Sequence, residues 1–181
     1  WLPLSKSKET ALDYQNFLAT CKGGSDIDAS ALKGTRLLCC DANKGDNDAL
    51  TLDPRNKEML SGITYLSDGI MEYQDTPPFD CFAIQNDIDK ILRLNGKIDS
   101  EHICRQDTST QLVKHRKDVF QNTEQICIDC LTRGILTVEW LDSKIQECLS
   151  RERREDFAGV AIFVYKTYLN RLRERRHLEE G

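Results

Sequence analysis

Between Asp53 and His177, apolar residues recur at intervals of three and four positions, and no other feature of the chain constrains its fold as strongly. Such intervals place side chains on one face of an α-helix, whereas a half-buried strand alternates every second residue. Short β-branched runs at 135–138 and 159–164 are either too brief for a strand or lie inside a helical pattern. The spacing therefore predicts an all-α protein, in which six to eight antiparallel helices form a bundle or a short helical array.

Capping residues and helix breakers divide this pattern into segments. Asp53 followed by Pro54 combines an N-cap with a first-turn proline, which predicts a helix that continues to Tyr73 and stops before the next two prolines. Gly134 is a typical helix stop, and Thr137 is a cap residue for the helix that follows. The same spacing predicts further helices at residues 7–21, 25–39, 81–92, 99–104, 109–133, 138–149 and 151–177.

The length of 181 residues is within the usual size of one domain, so we expect a single helical domain over residues 1–181. Within it we expect a flexible start at residues 1–6, an acidic loop at 41–53 and a basic last helix at 151–177. Apolar residues make up 39% and charged residues 30% of the chain, which is typical of an ordered protein with a charged surface. No stretch approaches the roughly 18 apolar residues of a membrane helix, so we expect no membrane partner.

The eight cysteines raise the question of disulfides. A domain of this size does not need covalent cross-links, and the share of cysteine is well below that of disulfide scaffolds. Most of these cysteines also fall on apolar helix faces, and no Asn begins an Asn-x-Ser/Thr glycosylation motif. We therefore expect reduced thiols and an intracellular location, in the cytoplasm or the nucleus.

Two cysteine motifs suggest a metal site. His102 and Cys104 form a His-x-Cys pair, while Cys127 and Cys130 form a CxxC pair, and zinc needs four such donors. Structural zinc pairs usually lie on knuckles or at a helix start, whereas this CxxC falls deep inside a helical pattern. We therefore favour two buried core thiols and no cofactor, with a zinc-supported helical module as the alternative.

A third motif is the vicinal pair Cys39 and Cys40. Since only one of two adjacent side chains can face the core, the other is expected to be exposed and oxidisable. The favoured interpretation is a pair at a helix end with no role.

Basic residues concentrate near the C-terminus, although the net charge of the whole chain is −5. Arginine matches phosphate and carboxylate groups equally well, so this region is a candidate contact for nucleic acid or for an acidic partner. Basic residues in a last helical turn also complement the helix dipole. Because an acidic protein is a poor starting point for nucleic-acid binding, we favour this role at the helix end over a nucleic-acid contact. The candidate contacts are Arg151, Arg153, Arg154, Arg171, Arg173, Arg175 and Arg176, with Lys114, Arg116 and Lys117 on a neighbouring helix.

No motif of catalysis is present in the sequence. It contains three histidines and lacks a Gly-rich phosphate loop, a His-Glu metal pair and a nucleophile elbow. We therefore expect a non-enzymatic regulatory or adaptor domain, which binds another protein through a groove between helices or an exposed apolar stripe. The aromatic residues expected to contact this partner are Trp1, Trp140, Tyr165 and Tyr168. The oligomeric state does not follow from the sequence.

Overall fold

The computed structural model of the chain describes residues 22–27, 36–45, 48–74, 78–150 and 155–179. These residues contain both helices and strands: five α-helices and two small antiparallel hairpins. The prediction of an all-α bundle of six to eight helices is therefore wrong. The predicted helix at 7–21 and the expected flexible start at 1–6 lie outside the described residues.

The chain divides into two compact units, unit 1 at Trp1–Lys114 and unit 2 at His115–Gly181. The expected single domain stays a prediction. Unit 1 begins, in its described part, with a turn at 22–27 and irregular chain at 36–39, where the sequence predicted a helix at 25–39. A short 3-10 turn follows at Cys40–Ala42, and the described residues of the predicted acidic loop are otherwise irregular up to residue 53.

The regular elements of unit 1 are short and alternate between helix and hairpin. Helix α1 is Lys57–Ser61, and strands β1 (Ile63–Tyr65) and β2 (Met71–Tyr73) form the first hairpin. Helix α2 (Cys81–Asn86) continues as a π-helical segment at Asp87–Ile91. Strands β3 (Lys97–Ile98) and β4 (Cys104–Gln106) form the second hairpin.

The helix predicted from Asp53 to Tyr73 is instead α1 followed by the β1–β2 hairpin. The Asn56 side chain caps α1, since its Oδ1 accepts the N–H groups of Glu58 and Met59, each at 3.1 Å. Beyond α1, the β-branched and aromatic residues of β1 favour a strand, and the turn before β2 contains Gly69 with a φ of 91°. The apolar residues of this segment are therefore spaced as in a helix, although most of them belong to a hairpin.

The short helix predicted at 99–104 is instead the turn between β3 and β4. The carboxylate of Asp99 accepts the N–H groups of Glu101 and Ile103 at 2.9 and 3.0 Å. The bond to the Ile103 N–H is the main cause that lowers the pKa of Asp99, and Arg105 adds to it. Side-chain bonds to nearby backbone compete with helix formation, which explains why this segment forms a turn and not a helix.

Helix α2 closes the core of unit 1. Asp80 caps it, as its Oδ1 accepts the Ala83 N–H at 3.0 Å. Further along, Asp87 is buried, and its Oδ2 accepts the backbone N–H groups of Thr51 and Leu52 at 2.6 and 2.8 Å. The helix therefore packs against both the first hairpin and the segment before α1, around a cluster of buried residues: Leu52, Met59, Met71, Tyr73, Ile84 and Ile88.

Two side-chain amides cover the outer edge of β2. The backbone groups of Met71 and Tyr73 face away from β1, because the neighbouring residues Ile70 and Gln74 make the hydrogen bonds across the hairpin. Asn95 accepts the Met71 N–H and donates to the Met71 carbonyl, both at 2.8 Å. Gln85 accepts the Tyr73 N–H at 2.7 Å. These amides take the place of a third strand.

Unit 2 consists of three helices. Helix α3 (Leu112–Thr132) begins at the boundary of unit 1, and α4 (Val138–Ser150) and α5 (Ala158–Glu179) follow. Gly134, with a φ of 70°, lies just after α3, and the Thr137 hydroxyl accepts the Trp140 N–H at the start of α4. The predicted stop and cap are thus confirmed. In the described part of the predicted basic helix at 151–177, residues 155–157 precede the helix and the remainder belongs to α5.

Apolar side chains of all three helices form the core of unit 2. Early residues of α4 meet late residues of α5, as in the pair of Asp142 and Arg173 with N and O atoms 3.4 Å apart, so these two helices are antiparallel. No helix of the described residues combines the length and the apolar character that crossing a bilayer requires. The buried core residues are Cys127, Cys130, Leu136, Leu141, Ile145, Tyr165 and Leu169.

Candidate functional site: a pocket among three helices

A pocket of about 240 Å³ opens among α3, α4 and the start of α5, entirely within unit 2; we call it the three-helix pocket. Residues spaced three and four apart on α3 form one wall, which explains why they share a face. The second wall is the last part of α4, and the third is the start of α5 with the two residues before it. The lining residues are Val119, Asn122, Thr123, Ile126, Lys144, Glu147, Cys148, Glu155, Asp156, Ala158, Ala161 and Tyr165.

An ion pair and two aromatic side chains form the α4 wall and its support. Lys144 is paired with Glu147, their N and O atoms 2.8 Å apart, and its ammonium lies 5.9 Å from the ring centre of Trp140. Trp140 meets Tyr165 edge to face, with ring centres 6.0 Å apart. Burial is the main cause that raises the pKa of Tyr165 to about 12, so this phenol stays neutral.

Among the described residues that line the pocket, negative charges outnumber positive ones. They are the carboxylates of Glu147, Glu155 and Asp156 and the ammonium of Lys144. Glu155 and Asp156 precede the first turn of α5, where negative charge also interacts favourably with the helix dipole. Phe157 then enters α5 with a φ of 60°, an uncommon value for a residue with a side chain, and its ring stacks on His115 with centres 5.7 Å apart.

Of the four aromatic residues predicted to contact a partner, the three that the structure describes do not lie together at one site. Tyr165 lines the three-helix pocket, and Trp140 packs behind it as part of the α4 wall. Tyr168 lies under the guanidinium of Arg171, whose carbon is 5.6 Å from the ring centre. Trp1 lies outside the described residues. Two of the four predicted residues therefore belong to the site or support it.

The arginines of α5 are exposed, and some are engaged within unit 2. Arg173 pairs with Asp142, and Arg171 lies on Tyr168. The pKa of Glu139 is lowered mainly by hydrogen bonds from the backbone and Thr137, and the charge of Arg176 adds to this effect. Arg175 is exposed as well. The other three predicted contacts, Arg151, Arg153 and Arg154, lie outside the described residues.

The basic residues predicted on the neighbouring helix do not share one surface. Lys114 and Lys117 of α3 are exposed, but Arg116 is only 3% exposed. A guanidinium that is buried in this way does not present its donors to nucleic acid. Helical spacing was the available signal, because Arg116 lies three residues after Val113 and seven before Thr123, which are both buried on α3.

The predicted zinc ligands lie in different environments. His102 is exposed in the turn between β3 and β4, and Cys104 is in β4 of unit 1. Cys127 and Cys130 are buried in the apolar core of unit 2, and burial is the main cause that raises the pKa of Cys127 to about 12. Zinc binds thiolates, which this environment disfavours. In the described part of the chain, no three His, Cys, Asp or Glu side chains form a group suited to a metal ion.

The two cysteines of α3, Cys127 and Cys130, are buried as expected. No disulfide joins any two cysteines within the described residues, and Cys127 lies at the centre of the unit 2 core. Sequence reasoning missed the polar lining of the pocket, including Asn122 and Lys144, since no motif marks residues that meet only through helix packing.

The three-helix pocket thus combines a small cavity of mixed apolar and polar lining with an aromatic side chain and carboxylates, which suits non-covalent binding of a group that is partly apolar and partly cationic. Comparison of the chain with known protein families, with curated proteins and with solved structures finds no match.

Proposed function

We propose that this chain is a non-enzymatic regulatory or adaptor protein of the cytoplasm or nucleus, which binds another protein in the three-helix pocket. The partner segment carries a lysine or arginine next to an aliphatic side chain. The observation that carries the proposal is the pocket itself, whose described lining combines apolar side chains with three carboxylates and one ammonium. The absence of disulfides among the described cysteines supports an intracellular location.

The volume of the pocket favours a side chain over a small-molecule ligand. At about 240 Å³ it is smaller than typical ligand sites, which range from about 300 to 1,000 Å³. One or two side chains of a docked segment fill a space of this size, in the manner of an anchor residue at an interface. The proposed ligand is therefore a peptide segment.

The charges of the lining favour a basic anchor. Lys144 is already paired with Glu147, so the carboxylate of Asp156 adds negative potential that this ammonium does not neutralise. A guanidinium or ammonium placed in the cavity would make charge-assisted hydrogen bonds to these groups. Its methylene stem would lie along Val119 and Ala161.

An exposed apolar residue at the rim favours an aliphatic neighbour. Ile126 lines the pocket and is 44% exposed, and it follows Asn122 by one helical turn on α3. A leucine next to the basic anchor would cover this surface, and burial of apolar area contributes about 25 cal/mol per Å². The segment is thus expected to bind through two adjacent side chains.

Two peptide libraries test this proposal. They are identical except that one position beside a fixed leucine is arginine in the first library and glutamate in the second. We expect the full chain to select peptides from the arginine library, with affinities measured by fluorescence anisotropy. Selection of the glutamate library, or of neither, would refute the proposal.

Variants of the pocket locate the binding site. Glu147→Lys reverses a lining charge and Ala161→Leu fills the cavity, and each should weaken binding of a selected peptide about tenfold or more, because charged hydrogen bonds contribute about 1.5–3 kcal/mol. Glu174→Lys is the matched control, since it makes the same charge change at an exposed position of α5 that does not line the pocket. Equal binding by all three variants would place the peptide elsewhere.

Nucleic-acid binding by α5 is the second proposal, supported by the exposed side chains of Arg175 and Arg176. Binding of mixed RNA and DNA probes should then weaken steeply as salt increases, and the double variant Arg173→Glu with Arg176→Glu should abolish it. A lack of any mobility shift at low salt would exclude this function.

A zinc-supported module is the third proposal, and it requires one equivalent of metal in native mass spectrometry.

A further inference from the structure

The adjacent cysteines Cys39 and Cys40 of unit 1 bring their sulfur atoms together. Their Sγ atoms are 3.8 Å apart, with the thiol of Cys40 donating to the sulfur of Cys39. Cys39 is fully buried and Cys40 is half-buried, so solvent reaches the second sulfur more easily than the first. The three-helix pocket plays no part in this arrangement, which lies entirely within unit 1.

An unusual backbone conformation produces this proximity. Cys39 is extended, with φ −139° and ψ −179°, whereas Cys40 has a φ of 52°. In a continuous extended chain, successive side chains point to opposite faces, which would separate the two sulfurs. The left-handed conformation costs free energy in a residue with a side chain, and such conformations persist where the surrounding structure holds them, often at functional positions.

Hydrogen bonds from both directions hold the pair in this conformation. The Cys39 N–H donates to the Gly23 carbonyl at 3.1 Å, and the Cys40 N–H donates to the Leu92 carbonyl at 2.7 Å. The Cys40 carbonyl accepts the N–H groups of Asn43 and Lys44, each at 3.1 Å. The position of both sulfurs is therefore determined by the fold.

We infer that Cys39 and Cys40 form a redox modification site, which a hydroperoxide oxidises to a vicinal disulfide. The more accessible Cys40 sulfur attacks the peroxide oxygen, an S–O bond forms as the O–O bond breaks, and water or an alcohol leaves after protonation. The Cys39 sulfur then attacks the Cys40 sulfur, an S–S bond replaces the S–O bond, and water leaves. Two thiols lose two electrons, which the hydroperoxide gains.

The product is expected to be easily reduced. Adjacent Cα atoms are about 3.8 Å apart across a trans peptide, whereas disulfides usually join Cα atoms about 4.4–6.8 Å apart. A disulfide at Cys39 and Cys40 is therefore strained, and strained disulfides have more oxidising potentials. This property suits a reversible modification better than a permanent cross-link.

Peptide mapping of the full chain tests the inference directly. Trypsin cleaves after Arg36 and Lys44, so the peptide 37–44 contains these two cysteines and no others. After treatment of the folded protein with hydrogen peroxide, acid quenching, unfolding and alkylation, we expect this peptide to be unalkylated and lighter by two hydrogen atoms. Dithiothreitol added before alkylation should restore two alkylation sites.

Comparison with the unfolded chain shows whether the fold accelerates the reaction. The same peptide should oxidise at least about tenfold faster in the folded protein than in the chain unfolded by urea, because the fold holds the sulfurs together. In Cys39→Ala, Cys40 should accumulate sulfenic acid that dimedone traps; in Cys40→Ser, oxidation of the buried Cys39 should be slow. An equal or slower rate in the folded protein, or disulfides that join different peptides, would overturn the inference.

Discussion

Replacement of Asn95 by alanine is expected to loosen the first hairpin of unit 1. Asn95 is completely buried, and its amide accepts the Met71 N–H and donates to the Met71 carbonyl and to Asp89, at 2.8, 2.8 and 2.7 Å. The carbonyl keeps a bond from Gln85 at 3.3 Å, but the N–H loses its acceptor. A buried donor without a partner costs about 1–3 kcal/mol, and the cavity adds to this, so we expect a loss of about 2–4 kcal/mol.

Amide hydrogen exchange and urea unfolding measure this loss. The Met71 amide should exchange at least about tenfold faster in Asn95→Ala, as each 1.4 kcal/mol corresponds to a factor of ten. Asn86→Ala is the matched control, because Asn86 is exposed on α2 and its replacement should change stability by less than about 0.5 kcal/mol. If the two variants unfold alike and the Met71 amide stays protected, then the amide of Asn95 does not hold the strand.

Three further predictions concern stability. Burial raises the pKa of Asp87, so its contribution to stability is present at low pH and is lost as the pH rises through the folded-state pKa. Asp87→Asn should remove this dependence in urea unfolding at increasing pH, and an unchanged dependence would show that another group causes it. Gly96→Ala should destabilise more than Gly134→Ala in the same assay, since both have positive φ but only the added Cβ at Gly96 would overlap the Gln106 carbonyl. Leu141→Ala, in the core of unit 2, should cost about 2–5 kcal/mol in thermal unfolding; a smaller loss would show that the core repacks.

Much of unit 2 could be predicted from sequence because local signals determine it. The stop at Gly134 and the cap at Thr137 act through bonds within a few residues, so their positions do not depend on distant parts of the chain. The burial of Cys127 follows from helical spacing alone. Long helices with clear caps are the elements for which a single sequence is most informative.

The hairpins of unit 1 could not be derived from apolar spacing. Met59, Ile63 and Tyr73 fit a helical period, but Ile63 and Tyr73 are partners across the β1–β2 hairpin. The informative signals were the β-branched and aromatic residues of β1 and the Asp68-Gly69 turn, which the longer-range pattern concealed. Tertiary contacts then decided the outcome, since Gln85 and Asn95 supply bonds that an isolated hairpin lacks.

The candidate site was only partly predictable. Tyr165 was expected to contact a partner, and it lines the three-helix pocket. Lys144 and Asp156 carry no local signal, because they meet only when α4 and the start of α5 pack together. The proximity of the Cys39 and Cys40 sulfurs depends on one left-handed backbone angle that no side-chain pattern announces.

The amides along β2 have a consequence for the behaviour of the protein at high concentration. A strand whose outer N–H and C=O groups are open is a template on which other chains assemble into aggregates. Gln85 and Asn95 already bond to the Met71 N–H, the Met71 carbonyl and the Tyr73 N–H, so these groups of β2 are not open to a second polypeptide. Two uncharged side chains, rather than the charged surface, thus protect this edge of β2 from pairing with another chain.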